Sequence, residues 1–501
     1  MPNLETRAIY GPPGCGKTTE LIATIKEWVA EGIEPSQIGV MSFTKAAATE
    51  MAKRANVPVE IGTLHSFAFR LAGIQREQVV GREHFAELSE LCGIETRGEK
   101  RDLEDDSKKA EGDAYLALAG YMGAVQQTDP SAAYLSSPCE GELNRFVYWY
   151  KSYNEFKKQR GLVDFNDMLL MAMDQDPEVD YLILDEAQDF SPLQWALLDS
   201  FLPYVKRVYL AGDDDQAIYK WGGADPEGMA KFEFAYGSER KVLNQSWRLP
   251  PPVHALAVDL IHNITNRVDK QYDPIQREGE QGVYHYGSAA QLSRRLRDLS
   301  AQDDVLILVR NHAQREDIEE WLIRQGIPYR ANGGFPAPLQ NRWAKAITLW
   351  RRAQANFRHT GDFMMTDKDL ESIGRSLRSQ YRRAWIENPD VLIAKNWGQV
   401  LDIPAWRGWP SYYQRVLAKY ATVEVNSNVR ISTIHGAKGH EADHVILING
   451  MSERTMETYL DDPDSEIRTF YVGVTRARKC LHIVTEDNPL PELVAQMSAT
   501  A

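Results

Sequence analysis

Eight residues near the start of the chain constrain its fold more than any others. Gly11-Pro12-Pro13-Gly14-Cys15-Gly16-Lys17-Thr18 follows the β-rich run Arg7 to Tyr10 and opens a stretch of helical pattern. The spacing G-x-x-x-x-G-K-[ST] in a strand-to-helix context predicts a phosphate-cradling loop. Its glycines let backbone N–H groups close on phosphate oxygens, and the helix start adds a partial positive charge. Lys17 is expected to reach the outer phosphates of a bound nucleotide, Thr18 to ligate Mg²⁺, and Thr19 to complete the loop's contacts. Such a loop belongs to a parallel sheet with crossover helices.

A metal at Thr18 needs a carboxylate on its other side. Tyr181-Leu182-Ile183-Leu184 leads as a buried strand into Asp185-Glu186-Ala187-Gln188-Asp189. Asp185 is the expected metal partner. Glu186 is placed to orient or deprotonate a water attacking the γ-phosphate. Together the two motifs predict nucleotide hydrolysis.

Further apolar runs at Ile38 to Phe43 and Val208 to Ala211 complete a first α/β set. A second is expected at Val283 to Tyr286, Val305 to Val309, Arg430 to Thr433, Val445 to Ile448 and Leu481 to Val484. Strands alternating with helical stretches indicate parallel sheets. With 501 residues the chain exceeds one hydrophobic core. Helical patterns interrupt each set once. The first interruption includes the mixed-charge stretch Glu99 to Asp113, to which no function is given.

The expected domains are 1–70 with 151–240 and 241–334 with 425–501, interrupted by helical insertions at 71–150 and 335–424. The formal charge of −14 is unfavourable for binding phosphate backbones, so any positive surface must be local. Residues 341–420 hold 14 Lys+Arg against 7 Asp+Glu and six of the 12 tryptophans. Basic plus aromatic composition suits backbone neutralisation with base stacking; the alternative is a helical core of tryptophans with solvated arginines. Four scattered cysteines form no metal-like cluster, and no window holds 18 uninterrupted apolar residues. Neither a leader nor a membrane span is expected, and a cytoplasmic, reducing location follows.

The motif order resembles the UvrD/Rep/PcrA family of superfamily 1 helicases, whose second motif is Asp185-Glu186-Ala187-Gln188-Asp189. Ser42-Phe43-Thr44, Gly62 to Phe67 and Asp164-Phe165-Asn166-Asp167 are similar to the next segments. Gly212-Asp213-Asp214-Asp215-Gln216-Ala217-Ile218-Tyr219 with Trp221 is similar to the third motif, and Asn244-Gln245-Ser246-Trp247-Arg248 to the fourth. Val309-Arg310-Asn311, Thr433 to Glu441 and Tyr471 to Arg478 complete the series.

The resemblance implies two RecA-like P-loop domains with parallel sheets, each interrupted by a mainly helical insertion domain. It implies ATP and Mg²⁺ as cofactors, Gln216 as γ-phosphate sensor, Arg248 and Arg476 as arginine fingers in the domain opposite Lys17, Trp247 on adenine and Glu441 on ribose. Phe43, Thr44, Thr63, His65, Tyr219, Trp221, Arg310, Asn311, Thr433 and His435 are the implied strand contacts. The implied activity is ATP-dependent travel along single-stranded DNA, 3′ to 5′, with unwinding at single/double-strand junctions. Alternatives are an ATP-switched single-strand clamp and a protein-stripping translocase. A monomeric motor with a protein partner at 335–424 fits the same picture.

Three departures from the family pattern stand out. No Gln precedes the phosphate loop to read adenine, so the base is expected to rest on Trp247. Trp221-Gly222-Gly223-Ala224 lacks the usual Arg after the aromatic, and Lys45-Ala46 replaces Asn-Lys. The second insertion is short for the family, and no appended nuclease domain is expected after Arg478.

Overall fold

The computed structural model describes residues 4–42, 45–98, 110–137, 139, 141–299, 303–331 and 337–499. Two of the expected strand contacts, Phe43 and Thr44, lie outside them, as does most of the mixed-charge stretch after residue 98.

The first sheet comprises β1 (Glu5–Tyr10), β2 (Ile38–Ser42), β3 (Glu60–Thr63), β4 (Tyr181–Asp185), β5 (Arg207–Gly212) and β6 (Glu239–Val242), in the order β3-β2-β4-β5-β1-β6. All its ladders are parallel. The inner strands are apolar without alternation because helices cover both faces: Ala8, Ile9, Leu182, Ile183, Leu184 and Leu210 have no exposed surface. Register sets Tyr10 opposite Gly212 and Ser42 opposite Asp185. The strand ends carrying the phosphate loop and both acidic motifs therefore share one edge of the sheet, where parallel α/β sheets bind ligands.

The second sheet has β7 (Gly282–Tyr286), β8 (Val305–Val309), β9 (Arg330–Ala331), β10 (Val429–Thr433), β11 (Ala442–Asn449) and β12 (Ala477–Thr485), in the order β7-β12-β11-β8-β10-β9. Its β11-β8-β10-β9 ladders are parallel. The expected α/β class with parallel sheets is observed. Three strands were not expected: β3, β6 and β9 are short and mostly polar or half-buried.

The helices Arg82–Cys92, Glu111–Ala124 and Leu143–Arg160 share a core of Leu88, Tyr115, Leu118, Met122, Phe146 and Trp149. Asp113, the end of the mixed-charge stretch, is buried and accepts from the backbone N–H groups of Arg97 and Gly98 at 2.9 and 2.8 Å. It is a structural residue.

In the basic insertion, tryptophan serves the core. Trp350, Trp385, Trp397 and Trp409 are buried and Trp343 packs against them, while Trp406 is 78% exposed. Trp350 stacks on Trp385 at 5.7 Å, and Trp343 meets Trp409 edge-on at 5.4 Å. A base-stacking surface built from all six tryptophans is thereby excluded, because an indole buried in a core has no face to offer.

By compactness the chain forms two units. One runs up to Gly282 and adds Met451–Lys479 and the segment from Leu490; the other is Val283–Gly450 with Cys480–Pro489. Residues 241–282 and most of 451–479 thus fall in the unit that holds the first sheet, where the expected boundaries had put them with the second. Among the described residues no helix is long and apolar enough to cross a membrane.

Candidate nucleotide site

The phosphate loop leaves β1 at Tyr10 and enters the helix Lys17–Ala30. Gly14 and Gly16 have φ of 74° and 85°, a left-handed backbone that a side chain would strain. At Gly14 space is a second constraint: a Cβ there would lie 2.4 Å from Cβ of Arg248. The Cys15 thiol faces the interior, and burial pushes it up to about 12, so it stays protonated. The Lys17 ammonium donates to the Gly11 carbonyl at 2.7 Å, folded across the cradle that phosphate oxygens would fill.

Asp185 ends β4 and Glu186 follows it. The Thr18 hydroxyl lies 3.4 Å from Oδ2 of Asp185, so the two oxygens expected on a metal converge. Asp185 is 2% exposed, and burial, reinforced by the charge of Glu186, pushes its carboxyl up to about 7. A buried carboxylate with a half-buried one and a hydroxyl beside it is a donor set that fits a divalent cation. Glu186 adopts φ 57°, unusual for a residue with a side chain, and Gln188 donates to its Oε2 at 2.5 Å. That bond fixes the expected base. Gln188 also accepts from the Asp213 N–H at 2.9 Å, tying the second motif to the third.

Both expected arginine fingers sit in the same compact unit as Lys17. β6 extends the first sheet beside β1, and the chain then runs back over the phosphate loop. Leu243 N–H donates to the Tyr10 carbonyl at 2.8 Å, and Trp247 N–H to Gly14 at 2.9 Å. The buried Ser246 hydroxyl donates to Pro13 at 2.7 Å and accepts from the N–H groups of Arg248 and Leu249 at 3.3 and 3.2 Å. Arg248 is thereby held beside Gly14, with Nη1 3.5 Å from the Thr475 carbonyl. Trp247 is 64% exposed, leaving a ring face open next to the loop.

Arg476 follows the helix Pro463–Val474 and is 2% exposed. It donates through Nε to the Val472 carbonyl at 2.9 Å and through Nη2 to Oε1 of Gln216 at 2.8 Å. Gln216 in turn donates to Oδ2 of Asp213 at 2.6 Å. Lys17, Asp185, Glu186, Gln216, Arg248 and Arg476 therefore belong to one connected arrangement within this unit. Glu441 belongs to the second unit, where it is half-buried and its carbonyl accepts from Arg430 at 2.8 Å.

Sequence reading passed over several residues that build this arrangement. Asp213, Asp214 and Asp215 bring carboxylate oxygens within 4.8 Å of one another, a spacing that resembles a metal site. The Lys270 ammonium occupies it instead, 3.2 Å from Asp213 and 2.9 Å from Asp215, with Asp214 also in contact. Arg267 grips Asp215 with two bonds of 2.9 and 2.8 Å. Arg267 and Lys270 lie in no recognisable motif; only their alternation with polar residues after the helix Pro251–Ile261 marks them, and that is a weak signal.

The expected strand contacts vary in their surroundings. Thr63 caps the helix Leu64–Leu71 through the Ser66 N–H at 3.1 Å. His65 meets the exposed Phe165 edge-on at 5.5 Å, and burial pushes its imidazole down to about 4. Asp164 and Asp167 are spent on a capping box and on Lys157, at 2.5 and 2.7 Å. Half-buried Tyr219 and Trp221 meet edge-on at 6.0 Å. Trp221 lines a cavity of about 600 Å³ with Tyr121, Lys220, Arg454 and Asp462. In the second unit Arg310 is buried, and Asn311 turns its carbonyl oxygen onto the Gln314 N–H as a helix cap, at 2.9 Å. Thr433 and His435 are half-buried.

The UvrD/REP helicase N-terminal domain matches residues 3–237, which hold the phosphate loop, Asp185, Glu186 and Gln216. The UvrD-like helicase C-terminal domain matches residues 416–488, which hold Glu441 and Arg476. The chain belongs to the UvrD/Rep helicase family. As a helicase of that family it is an enzyme that consumes nucleotide. Trp247, Arg248, Lys270, Arg310 and Asn311 fall between the two matched segments. Among similar proteins, ATP-dependent DNA helicase UvrD2 of Mycobacterium tuberculosis is 26% identical over 529 residues, covering 93% of this chain and 74% of its own. DNA helicase II of Haemophilus influenzae is 27% identical over 367 residues, 66% of this chain and 50% of its own. ATP-dependent DNA helicase PcrA of Bacillus subtilis is 26% identical over 355 residues, 64% and 47%.

Proposed function

We propose that this chain is an ATP-dependent DNA helicase that travels along single-stranded DNA, 3′ to 5′, and separates duplex ahead of it. The observation that carries the reading is the Arg476 to Gln216 bond of 2.8 Å, which joins the residue expected as an arginine finger to the one expected to sense the γ-phosphate. The relatives named as ATP-dependent DNA helicases support DNA as the track.

In this reading Lys17 turns from the Gly11 carbonyl to the outer phosphates. Glu186, held by Gln188, takes the proton of the attacking water. Arg248 and Arg476 meet the charge developing on the transferred phosphoryl, an effect of about 10³-fold or more for arginine fingers generally. Thr18 and Asp185 would hold Mg²⁺, which would supply charge neutralisation to the phosphates when bound. Trp247 is assigned the adenine face, and Glu441, in the second unit, matches the family's ribose contact. Thr63, His65, Tyr219 and Trp221 are the strand contacts of the first unit in this reading and Arg310, Asn311, Thr433 and His435 those of the second, with Phe43 and Thr44 given the same role from the sequence. A cytoplasmic location is part of the same reading.

A hydrolytic set this complete counts against a passive single-strand clamp. Glu186→Gln is the test of the chemistry: nucleotide binding stays within about twofold while turnover falls by about 100-fold or more, the upper part of the range for a lost general base. Full turnover in that variant would remove Glu186 from the reaction.

A further inference from the structure

The Lys270 side chain is 1% exposed, an expensive position for an ammonium unless it has work to do. Each of the three carboxylates around it is also served by another group, Asp213 accepting from the Asp215 N–H at 3.3 Å. Asp215 is held by the Arg267 fork, and Asp214 accepts from the Val268 N–H at 2.8 Å. Asp213 differs. Its Oδ1 faces Lys270 at 3.2 Å, and its Oδ2 accepts from Gln216, whose other carboxamide atom accepts from Arg476. A carboxylate can only accept and a guanidinium can only donate, so the Gln216 amide has one orientation that satisfies both. The chain of contacts Lys270, Asp213, Gln216, Arg476 is buried throughout, with exposures of 6% or less.

We propose that Lys270 is a positioning residue for ATP hydrolysis: through Asp213 it fixes the Gln216 carboxamide and thereby holds Arg476 at the nucleotide site. The inference rests on the helicase reading for its reaction. Lys270 touches neither nucleotide nor water in this scheme. It anchors the carboxylate whose far oxygen dictates which way Gln216 points. The segment carrying it is fastened on both sides, by Asp464 accepting from the Thr265 N–H at 3.0 Å and by the Ser246 N–H donating to Asp273 at 2.8 Å. Movement of that segment would reach the third, fourth and sixth motifs together.

The test compares Lys270→Met, Lys270→Arg and Asp213→Asn in the full chain, each alone and with Gln216→Ala. Turnover, KM for ATP and binding of a fluorescent non-hydrolysable ATP analogue are measured with and without single-stranded DNA. Lys270→Met is expected to lower kcat about tenfold or more, as misplacement of an aligned group does, with KM and analogue affinity within about twofold. Lys270→Arg recovers most of kcat. Gln216→Ala adds little in the Lys270→Met or Asp213→Asn background, because each has already lost the ion pair that fixes the amide. An unchanged kcat in folded Lys270→Met overturns the proposal, and so do effects that multiply independently with Gln216→Ala. If Lys270→Met does not fold, the near-isosteric Asp213→Asn carries the same cycle, and independence there overturns the proposal equally. A wild-type chain whose turnover ignores single strands counts against the helicase reading; Lys270 is then judged on the basal rate.

Discussion

Ser246→Ala probes the junction between the phosphate loop and the arginine that follows it. The hydroxyl is fully buried and makes one bond of good length, 2.7 Å to the Pro13 carbonyl, and two longer ones from the N–H groups of Arg248 and Leu249. Removing it leaves a buried carbonyl and two N–H groups short of a partner, and alanine brings nothing to replace it. A buried group left unsatisfied costs about 1–3 kcal/mol, and bonds of 3.2 and 3.3 Å add at the low end, so the total is about 2–3 kcal/mol. At about 2–4 °C per kcal/mol, the melting transition of the first unit falls by about 4–12 °C. Because the same hydroxyl fixes Arg248 against Gly14, KM for ATP should also rise. Thermal denaturation followed by circular dichroism, with and without a non-hydrolysable ATP analogue, reads both effects. A shift of less than about 1 °C with unchanged KM would show that the loop and the Arg248 segment do not depend on this bond.

Three further outcomes follow from the structure. His65 is held near 4, below its ordinary 6.5, so the unfolded chain takes up its proton first as pH falls. Stability present above about pH 6.5 is therefore lost progressively toward pH 4, and His65→Asn should flatten that part of a pH-melting curve. Gly222 has open space around an added Cβ and no left-handed backbone. Gly222→Arg should fold normally, tighten single-strand binding and steepen its salt dependence by about 0.7 in log K against log salt, measured by fluorescence titration. Trp350→Ala should cost about 3–5 kcal/mol in denaturant unfolding, whereas Trp406→Ala, on an exposed ring, should stay within about 0.5 kcal/mol.

The hydrolytic core was legible because its chemistry needs fixed spacing in a fixed context. Gly11 to Thr18 after β1, and Asp185 and Glu186 at the end of β4, announce themselves by apolar strands running into polar turns. Arg248 and Arg476 were readable only through motif order, since a lone arginine carries no pattern. Their packing with the first sheet was not readable at all. It depends on β6, Glu239-Arg240-Lys241-Val242, a polar edge strand with no apolar alternation, and on backbone bonds such as Trp247 to Gly14 that any residue types can make. Lys270 and Arg267 were missed for a related reason. A buried cation looks the same in sequence as a solvated one, and its partners are some 50 positions away. The tryptophans of 341–420 show the opposite hazard: composition suggested stacking platforms, and burial assigns four of six to a core, with a fifth packed against it.

ATP turnover at Lys17, Asp185, Glu186 and Arg476 is proposed to drive travel along one strand in one direction. The most direct measurement is a panel of 3′-tailed, 5′-tailed and blunt DNA duplexes with Mg²⁺ and ATP, scored for ATP turnover and strand separation in the same reactions. Turnover stimulated by single-stranded tails, with separation confined to 3′-tailed duplexes, is the predicted result. Separation only from 5′ tails would contradict the direction, and turnover indifferent to single strands would contradict the motor itself.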